Sequence, residues 1–128
     1  MKILGLGVDI ILNKRINNLI KNKKFINRTF AISEIINSKK NSNKTNYFAK
    51  RFAAKESLVK AIGSGFRDGI NLKDIVISNN KFGKPYYIIN NKIKNFLKKK
   101  MNSNNFELFL SITDEKDYSI AFTIIQKK

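Results

Sequence analysis

The run from Asn46 to Ile62 carries the strongest helical pattern in the chain, and the rest of the fold has to be arranged around it. Phe48, Phe52, Val59 and Ile62 recur at helical spacing, with Leu58 widening the apolar stripe. Gly63-Ser64-Gly65 ends the pattern, and Gly63 is a natural C-cap.

Upstream, Ile3 to Leu12 is β-branched and apolar and is expected to form a strand. Leu4, Leu6, Val8, Ile10 and Leu12 share one face, and Ile3, Gly5, Gly7, Asp9 and Ile11 share the other. Two glycines within a strand mark either a bulge or the close approach of a ligand or another backbone. Asn13 is placed to cap a helix through Arg15, Ile16, Leu19 and Ile20. A basic stretch follows, Lys21, Lys23, Lys24 and Arg28, with Phe25 and Phe30 interleaved. Ser33 to Ser38 predicts a short helix, and Lys39 to Thr45 a polar loop.

Downstream, Ile75 to Ser78 and Tyr86 to Ile89 predict two strands joined by a turn through Asn79-Asn80-Lys81-Phe82-Gly83-Lys84-Pro85. Ile93, Phe96, Leu97 and Met101 have helical spacing. Phe106 to Thr113 and Tyr118 to Gln126 predict a closing hairpin around Asp114-Glu115-Lys116-Asp117. Helices segregated from hairpins predict an α+β domain with a largely antiparallel sheet, a single unit over 1–128.

Composition narrows the chemistry. The 128 residues include no cysteine and no histidine. Disulfides, thiolate or histidine metal sites and His-dependent nucleophilic catalysis are thereby excluded. An enzyme built on this chain must use carboxylates, lysines, hydroxyls, backbone amides or a hard metal ion. The opening segment reaches Asp9 too soon for a signal peptide, and no apolar run approaches the roughly 20 residues of a membrane span. A cytoplasmic protein without membrane insertion is expected. The net charge of +17 suits a polyanionic cofactor, an acidic protein or nucleic acid. It also suits a Lys-, Asn- and Ile-rich coding bias.

The nine acidic residues can be sorted individually. Asp114, Glu115 and Asp117 fall in a turn, Asp68 and Asp74 border a loop, Glu34 lies in a short polar helix, and Glu107 sits on the polar face of its strand. Asp9 and Glu56 remain. Glu56 borders the apolar stripe one turn before Lys60, and Lys55 projects from within the apolar sector. Two interpretations stand at this level: an i,i+4 Glu–Lys pair beside a snorkelling lysine, or a phosphate-facing group. In the second, Asp9 and Glu56 bind Mg²⁺, which takes oxygen ligands and is completed by waters and substrate phosphates.

At these residues the sequence resembles the holo-acyl-carrier-protein synthase family of phosphopantetheinyl transferases. The resemblance rests on Gly5-Leu6-Gly7-Val8-Asp9-Ile10-Ile11 with Arg15-Ile16, and on the whole of Arg51 to Gly65 around Lys55-Glu56-Ser57-Leu58-Val59-Lys60. Gly83-Lys84-Pro85 and Leu110-Ser111-Ile112-Thr113 match two further blocks in order. It implies transfer of 4′-phosphopantetheine from coenzyme A to a serine of an apo-acyl carrier protein in fatty acid biosynthesis, releasing adenosine 3′,5′-bisphosphate. It further implies a homotrimer with coenzyme A in clefts between subunits. Metal binding then falls on Asp9 and Glu56, and catalysis on Glu56 and Lys60. Coenzyme A contacts fall on Lys55, Lys60, Gly63, Ser64, Gly65, Lys84, Pro85 and Ser111. Arg15, Lys21, Lys24, Phe25 and Arg28 become a docking face for the acidic carrier. There are two departures: Asp114 stands where the family usually has histidine, and Ile11 where larger relatives have a second acid. The competing expectation is a basic RNA-binding module without catalysis, which leaves the Lys-Glu-Ser-x-x-Lys helix unexplained.

Overall fold

The computed structural model describes residues 1–63 and 69–128. Among the described residues, strands and α-helices follow one another as β1 (Lys2–Leu12), α1 (Asn13–Leu19), α2 (Lys23–Thr29), α3 (Ile32–Ser38), α4 (Lys44–Ile62), β2 (Val76–Asn79), β3 (Pro85–Ile88), α5 (Asn91–Met101), β4 (Phe106–Asp114) and β5 (Tyr118–Lys127), with a 3-10 turn over Leu72–Asp74 before β2. The α+β class and the order of elements agree with the sequence pattern. The strands make two antiparallel sheets: one of order β1-β5-β4 and the hairpin β2-β3.

The helix α4 is more central than a single apolar stripe suggests. Tyr47, Phe48, Ala49, Arg51, Phe52, Ala53, Ala54, Lys55, Ser57, Leu58 and Ala61 are all buried, whereas Val59 is only partly so. Small alanines let neighbours approach on several sides, so burial extends around most of the helix. Asn43 accepts from the Asn46 amide as N-cap, and Gly63 closes the helix in the left-handed conformation at φ 85°.

Helix α4 lies directly on β1, and Gly5 and Gly7 allow it. A Cβ on Gly7 would stand 1.9 Å from the Ser57 carbonyl oxygen, and one on Gly5 would stand 2.1 Å from that of Ala61. Alternate strand residues are about 6.8 Å apart and carbonyls one helical turn apart about 6 Å, so the two glycines match successive turns. The glycines therefore serve the approach of another backbone.

One sheet face packs on α4. The other is apolar and exposed, with Leu6, Val8, Ile10 and Leu12 on β1, Phe109 on β4 and Phe122 on β5.

One local expectation is corrected. Asn13 does not cap α1. It lies within the helix, and its side chain donates to the Glu115 and Lys116 carbonyls and accepts from Ser119, clamping the β4–β5 turn. The basic stretch after α1 is itself helical as α2, capped by Asn22.

Candidate active site

Asp9 projects from β1 towards α4, on the same face as Gly7. Following the glycine match by one more step along β1 reaches the turn of α4 preceding Ser57. Helical side chains lean towards the N-terminus, which brings Glu56 and Lys60 back to that level. Lys60 Nζ meets Asp9 Oδ1 at 2.9 Å, with Asp9 mostly shielded and Lys60 about half exposed.

Glu56 is half-buried at the same place. Burial pushes its carboxyl pKa above the usual value, and the neighbouring Asp9 carboxylate raises it further. Lys60 and Arg15 oppose the rise. Two acids thus share one patch, the Asp9 carboxylate making the charge on Glu56 costly, which is an electrostatic condition for holding a cation. Among the described residues no group of three or more His, Cys, Asp or Glu side chains is placed to hold a metal. A two-carboxylate oxygen donor set nevertheless fits Mg²⁺, which keeps several waters and accepts substrate phosphate as ligand.

Lys84, Pro85 and Ser111 come together elsewhere. With Tyr86, Phe109 and Phe122 they line a cleft of about 580 Å³ between the β2–β3 hairpin and β4. The register aligns Ser111, Phe122 and Val8 across three strands on the exposed sheet face, whereas Asp9, Ala121 and Ile112 align on the opposite one. Within one chain the cleft and the Asp9–Glu56 pair therefore lie on opposite sides of the sheet.

Gly63 sits exposed at the C-terminus of α4. Ser64 and Gly65, also expected at the cofactor, lie outside the described residues.

Lys55 requires correction. Its side chain is fully buried, and its ammonium donates to Glu34 at 2.7 Å, to the Leu72 carbonyl at 3.0 Å and to the Ile75 carbonyl. All three protons are used inside the chain, leaving none for a cofactor. Glu34 is corrected with it. Instead of facing solvent on a polar helix, it is buried and also accepts from the Ala31 and Ile77 amides. Charge alone in a short helix gave no signal of this, because the partner lies in a helix distant in sequence.

Phe25 is likewise not a surface anchor. It is 6% exposed and packs against Phe30 and Phe52, with ring centroids 6.1 Å apart in each case. Arg15, Lys21, Lys24 and Arg28 are all exposed, and Arg28 stacks over the Phe25 ring. At the position of the expected histidine, Asp114 accepts a hydrogen bond from the Asn46 side chain in the first turn of α4. The start of a helix favours a carboxylate.

A model of the 4′-phosphopantetheinyl transferase superfamily matches residues 5–123. A holo-[acyl-carrier-protein] synthase from Pelagibacter ubique is 53% identical over 128 residues, covering 100% of both chains. The crystal structure of holo-[acyl-carrier-protein] synthase from Neisseria meningitidis superposes with a TM-score of 0.89 at 33% identity, covering 98% of this chain and 100% of the other. That from Bacillus anthracis, in complex with coenzyme A (3′,5′-ADP), superposes at 0.81 with 29% identity over 98% of each chain. A family match across most of the length and a relative more than half identical from end to end lead to one conclusion: the chain belongs to the 4′-phosphopantetheinyl transferase superfamily, among its holo-[acyl-carrier-protein] synthases.

Proposed function

We propose that residues 1–128 form one phosphopantetheinyl transferase domain that moves 4′-phosphopantetheine from coenzyme A to a serine of apo-acyl carrier protein, for fatty acid biosynthesis. The observation that carries the site assignment is the meeting of Asp9, Glu56 and Lys60 at one patch between β1 and α4.

Asp9 and Glu56 would hold Mg²⁺, which when bound would supply charge neutralisation and orientation for the coenzyme A pyrophosphate. Lys60, half exposed beside Asp9, donates to phosphate oxygens and stabilises the leaving group. Glu56, half-buried at the same patch beside Asp9 and Lys60, accepts the serine proton. The serine oxygen forms a bond to the pantetheine-side phosphorus, and the bond to adenosine 3′,5′-bisphosphate breaks.

The active enzyme is a homotrimer with coenzyme A between subunits. The cleft of Lys84, Pro85 and Ser111 faces away from Asp9 within one chain, which supports a site completed by a neighbouring subunit. The exposed apolar face of the β1-β5-β4 sheet, with Leu6, Val8, Ile10, Phe109 and Phe122, supports the same association. Gly63, and by the sequence resemblance Ser64 and Gly65, contribute phosphate contacts. Arg15, Lys21, Lys24 and Arg28 form the carrier docking face, steering an acidic partner electrostatically. No helix of the described residues is long and apolar enough to cross a membrane.

Incubation with coenzyme A, Mg²⁺ and a cognate apo-carrier should add one phosphopantetheine to the carrier serine by mass spectrometry. Absence of the mass gain with folded protein would refute the function. Full activity without a divalent cation would refute the metal assignment.

A further inference from the structure

Glu56 is flanked in sequence by two wholly buried polar side chains, Lys55 and Ser57. Successive helical residues are about 100° apart around the axis, so these two leave α4 on either side of Glu56. On one side, the Lys55 ammonium is held by Glu34 of α3 and by the carbonyls of Leu72 and Ile75. On the other, Ser57 Oγ lies 2.6 Å from Thr123 Oγ1 of β5. The Tyr87 hydroxyl from β3 closes this second cluster, 2.7 Å from Thr123 Oγ1 and donating to the Ala54 carbonyl at 2.7 Å. Thr123 stands opposite Gly7 in the β1–β5 register, and Gly7 receives the Ser57 carbonyl. The hydroxyl cluster therefore ties α4 to the sheet two residues along β1 from Asp9.

We propose that Lys55 and the Ser57–Thr123–Tyr87 cluster are positioning residues that fix the rotation of α4 about its own axis, so that the Glu56 carboxylate meets Asp9. Their catalytic significance rests on the assignment of Asp9 and Glu56 as the metal pair. Apolar packing alone tolerates small slippage of a helix, whereas directional hydrogen bonds on two flanks do not. A carboxylate about 5–6 Å from the axis moves by about 1.5 Å for a 15° turn, and a misplacement of about 1 Å can cost roughly 100-fold in rate. The interior placement of Lys55, beside a residue of the reactive patch but unable to reach a ligand, acquires a purpose in these terms.

Thr123→Val removes a hydroxyl at nearly constant shape, Thr123→Ser retains it, and Tyr87→Phe removes the adjoining hydroxyl. The chain has no cysteine, so Asp9→Cys combined with Glu56→Cys creates a single thiol pair for a short bifunctional reagent. In that background Thr123→Val and Tyr87→Phe should each slow intramolecular cross-linking at least fivefold with unchanged circular dichroism, and Thr123→Ser should cross-link at the parental rate. In the otherwise native enzyme Thr123→Val should lower kcat at least tenfold while KM for coenzyme A stays within twofold. Unchanged cross-linking in folded Thr123→Val and Tyr87→Phe proteins overturns the inference, whatever their kcat. Slowed cross-linking together with full transfer by a Glu56→Gln enzyme supports the positioning role and instead refutes the metal pair.

Discussion

Replacing Glu34 with glutamine preserves volume and removes one charge from the most deeply buried ion pair among the described residues. Glu34 and Lys55 expose 1% and 0% of their side chains, and Nζ lies 2.7 Å from Oε1. The same carboxylate accepts from the Ala31 amide at 2.9 Å and the Ile77 amide at 3.1 Å. A glutamine must turn its NH₂ group towards either the ammonium or a backbone N–H, leaving donors facing donors and a buried charge uncompensated. Removing one partner of such a pair costs about 3–5 kcal/mol, against a total stability of about 5–15 kcal/mol for a domain.

The loss should depend on pH in a definite sense. Burial already pulls the Lys55 pKa below its ordinary value, against the attraction of Glu34. Between the folded and ordinary values the unfolded chain binds more protons, so stability rises with pH there. Without Glu34 the folded pKa drops further and that window opens at lower pH. The deficit of Glu34→Gln relative to the parent should therefore narrow from pH 7 to pH 9.5. Urea denaturation at one fixed protein concentration measures both quantities, the fixed concentration removing any contribution from association. A loss below about 1 kcal/mol at pH 7, or a deficit that widens with pH, would refute the reasoning. The double variant Glu34→Leu/Lys55→Met should be less destabilised than either single change, since apolar replacement of the whole pair leaves no orphan charge.

Asp9→Asn and Glu56→Gln should each reduce carrier modification by more than about 100-fold, roughly the rate a misplaced reacting group can cost, while the thermal midpoint barely moves. Retained transfer would remove that residue from the site. In ¹³C NMR titration of the metal-free protein, Asp9→Asn should lower the Glu56 midpoint and Lys60→Met should raise it, because Asp9 raises and Lys60 lowers that pKa. Gly7→Ala forces a Cβ to 1.9 Å from the Ser57 carbonyl; α4 must lift from β1, at a cost of about 1–3 kcal/mol by overpacking, visible in urea melts together with loss of transfer. Asp114→His should lower KM for coenzyme A if an anionic phosphate passes that position, and an unchanged KM would show the aspartate to be harmless there.

Much of the fold was legible locally. The boundaries of α4 follow from its apolar recurrence and its glycine C-cap, and the strands of both hairpins lie within about one residue of their β-rich runs, well inside the usual boundary scatter. The acidic pair was legible too, because the chain offers few acids and two of them fall beside unusual neighbours, Gly7 and Lys60. What misled was polarity taken one element at a time. Glu34 looks like a surface residue of its short helix and Lys55 like a lysine reaching out of an apolar sector, and only their mutual contact makes both interior. Phe25 among lysines looks like an exposed anchor, yet it turns inward onto Phe30 and Phe52. Asn13 has the residue type of a helix cap, but its amide is engaged by the β4–β5 turn, far off in sequence.

By itself, then, the sequence determined the element order, the α+β class, the exclusion of histidine and cysteine chemistry, and the long helix bearing Glu56 and Lys60. These depend on periodicity and residue type, which act within one or two turns of chain. Only the tertiary structure decided that Gly5 and Gly7 serve helix approach, that Lys55 is an anchor, and that the apolar face of β1 lies open to solvent. It alone put Asp9 and the Ser111 cleft on opposite faces of one sheet. Those outcomes depend on pairings between segments distant in sequence, where burial cost and hydrogen-bond geometry are settled jointly by both partners.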